Sequence, residues 1–223
     1  AESLGATFNG KKVGTLGHSA IFSFCQNKII STGEGGAIVT NSKEVYEKAK
    51  LLRSHGRVEK CEDYFSNIGS NDYIEPGYNL RMPSICAALG ISQLKKIEKI
   101  IKMRRKIAFK LTRELSTIKE LTLPKELNDS RSVYQMYTIK LPNKEMRDAL
   151  QSYLADKGIM SKVYFPPLHL MTIFTKMGYK KGDLPMTEWL SDRILNIPLF
   201  PTMTKKETNY LLVHVKNFFK VAK

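Results

Sequence analysis

The first clear hydrophobic pattern in the chain is Ser19 to Phe24 (Ser-Ala-Ile-Phe-Ser-Phe), a run of strand-favouring residues that a second run, Ala37 to Thr40, follows. Ahead of them, Glu2 to Gly17 is polar and glycine-rich, with neither a helical nor a strand period. Between the two runs lies a polar loop that ends in Gly33-Glu34-Gly35-Gly36. Asn41 or Ser42 then reads as the N-cap of a helix with Val45, Ala49 and Leu52 on one face. Arg53 and His55 in its last turn and Gly56 just beyond form a stop signal, and the helix dipole alone accounts for His55. Residues 57–80, with Pro76 and several tyrosines and asparagines, have no sustained period and predict a long loop of the kind that carries function.

Pro83 and Ser84 open the longest predicted helix, in which Leu94, Ile97, Ile101, Ala108, Leu111 and Leu115 make one apolar stripe. Lys95, Lys96, Lys99, Lys102, Arg105 and Lys106 fall mostly on the other faces, as a solvated basic run. After Pro124 helix and strand patterns alternate. Tyr134 to Leu141 reads as a strand, Lys144 to Lys157 as a helix stopped by Gly158, and Ile159 to Tyr164 as another strand. Met186 to Leu195 reads as a short helix, Ile197-Pro198-Leu199 as an extended piece, and Thr204 with Glu207 as a capping box on the last helix. The expected boundary lies near residue 115, giving domains 1–115 and 116–223.

Charge adds a question to this pattern. With 36 Lys and Arg against 21 Asp and Glu, the net charge is +15, which raises a nucleic-acid or membrane-surface reading. Hydrophobic residues at 42% are enough for a packed core and argue against disorder. No apolar run approaches the length of a membrane span, and the first residues do not pair a basic stretch with an apolar one. Cys25, Cys61 and Cys86 lack a C-x-x-C spacing and the histidines are scattered, so neither a metal site nor a disulfide frame is expected. The thiols read as those of a reduced, cytoplasmic protein.

Lys28 is the residue with the clearest chemical potential. It follows a strand, stands beside apolar residues and precedes a glycine cluster. A lysine so placed can serve as nucleophile or base. Ser23 offers a hydroxyl to a phosphate, and the glycines let a ligand approach the backbone.

Ser23-Phe24, then Lys28, then Thr32-Gly33-Glu34-Gly35-Gly36 resembles the cofactor-lysine segment of the DegT/DnrJ/EryC1/StrS family of nucleotide-sugar aminotransferases. Further segments resemble the same family in the same order. They are Ala1 to Ala6, Leu52-Arg53-Ser54-His55-Gly56, Gly77-Tyr78-Asn79-Leu80-Arg81-Met82, Ala87 to Gly90 with Gln93-Leu94, Tyr164-Phe165-Pro166-Pro167-Leu168-His169, and Ile197-Pro198-Leu199. Together they cover nearly the whole chain.

The resemblance implies an α/β protein of the pyridoxal-phosphate-dependent transferase fold type I, aspartate aminotransferase-like. The chain would hold the C-terminal part of the large domain and the small α/β domain. It implies that Lys28 holds pyridoxal 5′-phosphate as a Schiff base and then shuttles the proton. Ser23 would bind the cofactor phosphate, Asn79 would reach it from a partner subunit with Arg81 nearby, and Glu2 would stand near the cofactor ring. Tyr164 and His169 would line the sugar-nucleotide pocket. The reaction implied is transfer of an amino group from L-glutamate to a nucleotide-linked keto-sugar, in a homodimer with shared active sites. A related group of sugar dehydratases carries histidine at the lysine position, so Lys28 favours transamination.

Family members begin far upstream of Ala1. The aspartate for the pyridine nitrogen, the residue that stacks on the ring and several phosphate donors are therefore expected outside this sequence. Such a chain is expected to expose strand edges and an apolar face. The alternative is a non-catalytic relative that binds sugar nucleotides or nucleic acid through its basic surface.

Overall fold

The computed structural model describes residues 1–58 and 72–221, which form two compact units. The first comprises Ala1–Lys99 with Asn128–Val133, and the second Ile100–Leu127 with Tyr134–Lys223. The units part at Lys99, inside a helix, whereas the boundary read from the sequence lay near residue 115. Cys61 and most of the long loop expected over residues 57–80 lie outside the described residues.

In the first unit, β1 (Thr7–Phe8) pairs antiparallel with both β2 (Lys11–Lys12) and β5 (Ser130–Arg131). The polar opening therefore holds short strands that its lack of period hid. Lys12 and Arg131 both reach Glu98, at 3.1 and 2.9 Å. The two expected strands form a hairpin of β3 (Ser19–Ser23) and β4 (Gly36–Thr40) in antiparallel register. Ser42 caps α1 (Lys43–Arg53) by accepting the Val45 amide.

One helix was expected after Pro83, and the structure has two, α2 (Ser84–Leu94) and α3 (Ile97–Leu115). The break falls at Lys95 and Lys96, where the amide of Lys96 turns back to the Gln93 carbonyl. No glycine or proline marks it, and the apolar stripe runs on through it, so the sequence pattern was blind to the turn.

The second unit holds the larger core. Here β6 (Tyr137–Lys140) pairs antiparallel with β7 (Ile194–Ile197), and single bridges widen the sheet at Thr122–Lys140 and Lys162–Asn196. One face is covered by Ile107, Leu111 and Leu115 of α3, Leu150 and Leu154 of α4 (Lys144–Asp156), and Leu211 and Val215 of α7 (Lys205–Val221). The strand expected over Ile159 to Tyr164 reduces to the Lys162 bridge. The helix expected over Met186 to Leu195 ends early, as α6 (Pro185–Ser191), because Ile194 and Leu195 are needed to pair with β6. Between them lie a 3-10 turn at Leu168–Leu170 and α5 (Thr172–Thr175). No described helix is long and apolar enough to cross a membrane.

Candidate active site

The site in the first unit is built on the loop that joins β3 to β4. Phe24 donates its amide to the Gly35 carbonyl, which continues the hairpin one step past Ser23. Its own carbonyl accepts the Thr32 amide at 2.9 Å and the Ser31 hydroxyl at 3.3 Å, closing the loop on itself. Within it, the Lys28 amide donates to the Cys25 carbonyl, and Ile29 and Ile30 plunge into the interior. The backbone at Lys28 is thus anchored by two buried neighbours and a turn.

Its side chain is only 15% exposed, and Nζ lies 2.7 Å from Oε1 of Glu2. The resemblance placed Glu2 near the cofactor ring, and the structure brings it to the lysine itself. Ser23, the last residue of β3, accepts the Cys25 amide at 3.3 Å through Oγ. A hydroxyl that accepts in this way keeps its own hydrogen for another acceptor.

Asn79 and Arg81 stand on a separate, solvent-facing segment. Asn79 bridges to Ser54, and the flanking amides lock the same pairing, Tyr78 to the Leu52 carbonyl and Leu80 to the Arg53 carbonyl. The two motifs Leu52 to Gly56 and Gly77 to Met82 are therefore one structural unit. Their glycines are what let the chains cross. A Cβ on Gly56 would stand 1.6 Å from the Glu75 carbonyl oxygen, and one on Gly77 would stand 2.1 Å from the Gly56 nitrogen.

In the second unit, Tyr164 lines a cavity of about 190 Å³ together with Gln135, Ser161, Lys162 and Asn196. The Lys162 ammonium lies 5.9 Å from the centre of its ring. His169, expected to line a substrate pocket, has a buried ring. Its Nε2 is 2.9 Å from Glu188 Oε1, and Nδ1 has no hydrogen-bond partner among the described residues. Glu188 was not found from the sequence, where a lone glutamate on a short helix gives no signal. The imidazole hydrogen bond, then the Gly182 amide, hold its carboxyl below the usual carboxylate range. Among the described residues no cluster of three or more His, Cys, Asp or Glu has the form of a metal site.

The donor set can be tested against a cofactor. A little-exposed lysine amine suits an aldehyde, and a hydroxyl with a hydrogen to give suits a phosphate ester. The residues present fit pyridoxal 5′-phosphate.

Comparison with known proteins agrees. The fold is that of the pyridoxal-phosphate-dependent transferases of fold type I. An aminotransferase of pseudoaminic acid biosynthesis from Helicobacter pylori superposes with a TM-score of 0.90 at 28% identity, over 99% of this chain and 58% of that one. The chain belongs to the DegT/DnrJ/EryC1/StrS aminotransferase family, whose sequence profile matches residues 1–216. It is 35% identical over 99% of its length to a pleiotropic regulatory protein of Geobacillus stearothermophilus. It is 33% identical over 98% of its length to a GDP-perosamine synthase of Escherichia coli O157:H7. In each case it spans 57% of the relative's length. Aminotransferases of this family depend on pyridoxal phosphate.

Proposed function

We propose that this chain is the lysine-bearing portion of an aminotransferase that moves an amino group, from L-glutamate, to a nucleotide-linked keto-sugar. The observation that carries the reading is the lysine amine of Lys28, little exposed and held at 2.7 Å by Glu2 on a self-closed loop.

The first unit then corresponds to the C-terminal part of the large domain and the second to the small domain. When bound, pyridoxal phosphate would supply an electron sink for the carbon that loses its proton. Lys28 would hold it through Nζ and, with its amine free, would carry the proton from one carbon to the other. Glu2 holds Nζ in place, Ser23 donates to the phosphate, and Tyr164 contacts the sugar nucleotide. Asn79 and Arg81, on an exposed and rigidly paired segment, serve the cofactor of a second subunit, which makes the working form a homodimer. On this reading the protein acts in the cytoplasm.

The test is Lys28→Ala in the full-length protein. Borohydride reduction of the wild-type protein fixes the cofactor on the peptide bearing Lys28, and the variant gives no adduct. Turnover falls by at least about a thousandfold. An adduct on another lysine, or turnover that survives, would overturn the reading.

A further inference from the structure

The carboxylate of Glu188 gathers contacts from outside its own helix, one from the turn just before it and one from the segment that follows Tyr164. Oε1 accepts from His169 Nε2 at 2.9 Å and from the Gly182 amide at 2.8 Å. At the end of the same helix, the Ser191 hydroxyl donates to the Phe165 carbonyl at 3.1 Å. The Ser191 carbonyl is fixed in turn by Arg147, a buried guanidinium, at 2.9 Å. Helix α6 therefore grips the segment Phe165–His169, directly after Tyr164, at both ends.

From this geometry we infer that Glu188 is a positioning residue that sets Tyr164 through His169, so that specificity for the sugar nucleotide depends on α6. The inference rests on the reading of Tyr164 as a substrate contact. A histidine ring with 4% of its surface exposed is poorly placed to touch a ligand. It is well placed to pin a loop, since a buried donor without its acceptor is costly. The Nε2–H bond to a carboxylate also fixes the ring's orientation. Phe165, directly after Tyr164, is held by its carbonyl, and its exposed ring lies 4.7 Å, centre to centre, from that of Tyr164. The backbone on either side of Tyr164 is thus fixed, at Lys162 by its bridge to Asn196 and at Phe165 by Ser191, and the segment beyond is pinned at His169.

The experiment uses the full-length holoenzyme and two readouts. One is calorimetric binding of UDP-N-acetylglucosamine and GDP-mannose. The other is the half-reaction with L-glutamate, followed by cofactor absorbance. Glu188→Ala should weaken sugar-nucleotide binding roughly ten- to a hundredfold while the glutamate half-reaction stays within about twofold. Glu188→Gln keeps an oxygen acceptor and should restore binding to within about threefold of wild type. Ser191→Ala, milder for folding, should shift binding in the same direction by less. Equal losses in both readouts, or a Gln variant as weak as the Ala variant, would overturn the inference. If Tyr164→Ala leaves binding unchanged, the reading of Tyr164 fails and takes the inference with it. If Tyr164→Ala weakens binding and Glu188→Ala does not, only the role of Glu188 fails.

Discussion

Lys28 Nζ and Glu2 Oε1 meet at 2.7 Å although 26 residues separate them. The contact closes the polar opening of the chain onto the β3–β4 loop. The pair is partly buried, the lysine more than the glutamate, so the carboxylate guides the amine more than it stabilises the fold.

Loss of that guide should therefore show in turnover before it shows in folding. In the full-length protein, Glu2→Ala should lower transamination about tenfold, because a freed lysine stem samples unproductive rotamers. Borohydride fixation on Lys28 should persist. Glu2→Gln keeps an oxygen at the same reach and should fall between the two. Loss of fixation in Glu2→Ala would show that the carboxylate is needed to hold the cofactor rather than to aim the lysine.

The crossing at Gly56 makes a second prediction. Gly56 has φ +75° and no room for a Cβ. Gly56→Ala must therefore both strain the backbone and push Glu75 away, breaking the pairing of Leu52, Ser54 and Tyr78. A loss of stability of more than about 2 kcal/mol by urea denaturation is expected. Because Asn79 rides on that pairing, any activity that needs Asn79 should be lost with it.

Gly56 also shows what the sequence could carry. Local signals were legible: the hairpin strands, the Ser42 cap, the stop at Gly56 and the Thr204–Glu207 box all stand where chemistry of neighbouring residues requires them. The family resemblance also brought the Lys28 loop, Glu2 and Ser23 into view. What stayed hidden depends on residues far apart in the chain. The turn at Lys95 interrupts an unbroken apolar stripe, and β7 begins where helical periodicity still continued. Glu188 is visible only once His169 is seen to be buried, since the need for an acceptor arises from packing and not from spacing.

The capping box supplies a pH test. Glu207 accepts from the Thr204 amide and hydroxyl, both at 2.7 Å, and these bonds lower its pKa, the amide first. A carboxyl depressed in the folded state adds stability above its unfolded value, about 4.3, and loses it as pH falls through the folded value. The urea midpoint of Glu207→Gln should thus lie below wild type at pH 7, and the gap should close as pH drops below about 4. Thr204→Ala, which removes the partner hydroxyl from the first turn, should cost about 1 kcal/mol at neutral pH. A gap that stays constant down to pH 3 would mean that Glu207 contributes through packing instead of charge.

Arg104 bears on the core of the second unit. Its guanidinium is buried and donates to the Leu199 carbonyl at 2.9 Å, while Nε has no partner among the described residues. Burial pushes its pKa down to about 10, so at neutral pH it is still charged and still carries the cost of desolvation. Replacing a buried charge by an apolar side chain of similar length often leaves stability unchanged or raises it. Arg104→Met in the full-length protein should accordingly match or exceed the wild-type urea midpoint, with a difference that is flat from pH 5 to pH 9. Arg104→Ala should lower the midpoint, because it removes the charge and leaves a cavity. If Met costs more than about 3 kcal/mol, the bond to Leu199 outweighs the desolvation, and Arg104 is retained for holding the segment that follows β7 rather than tolerated in spite of its charge.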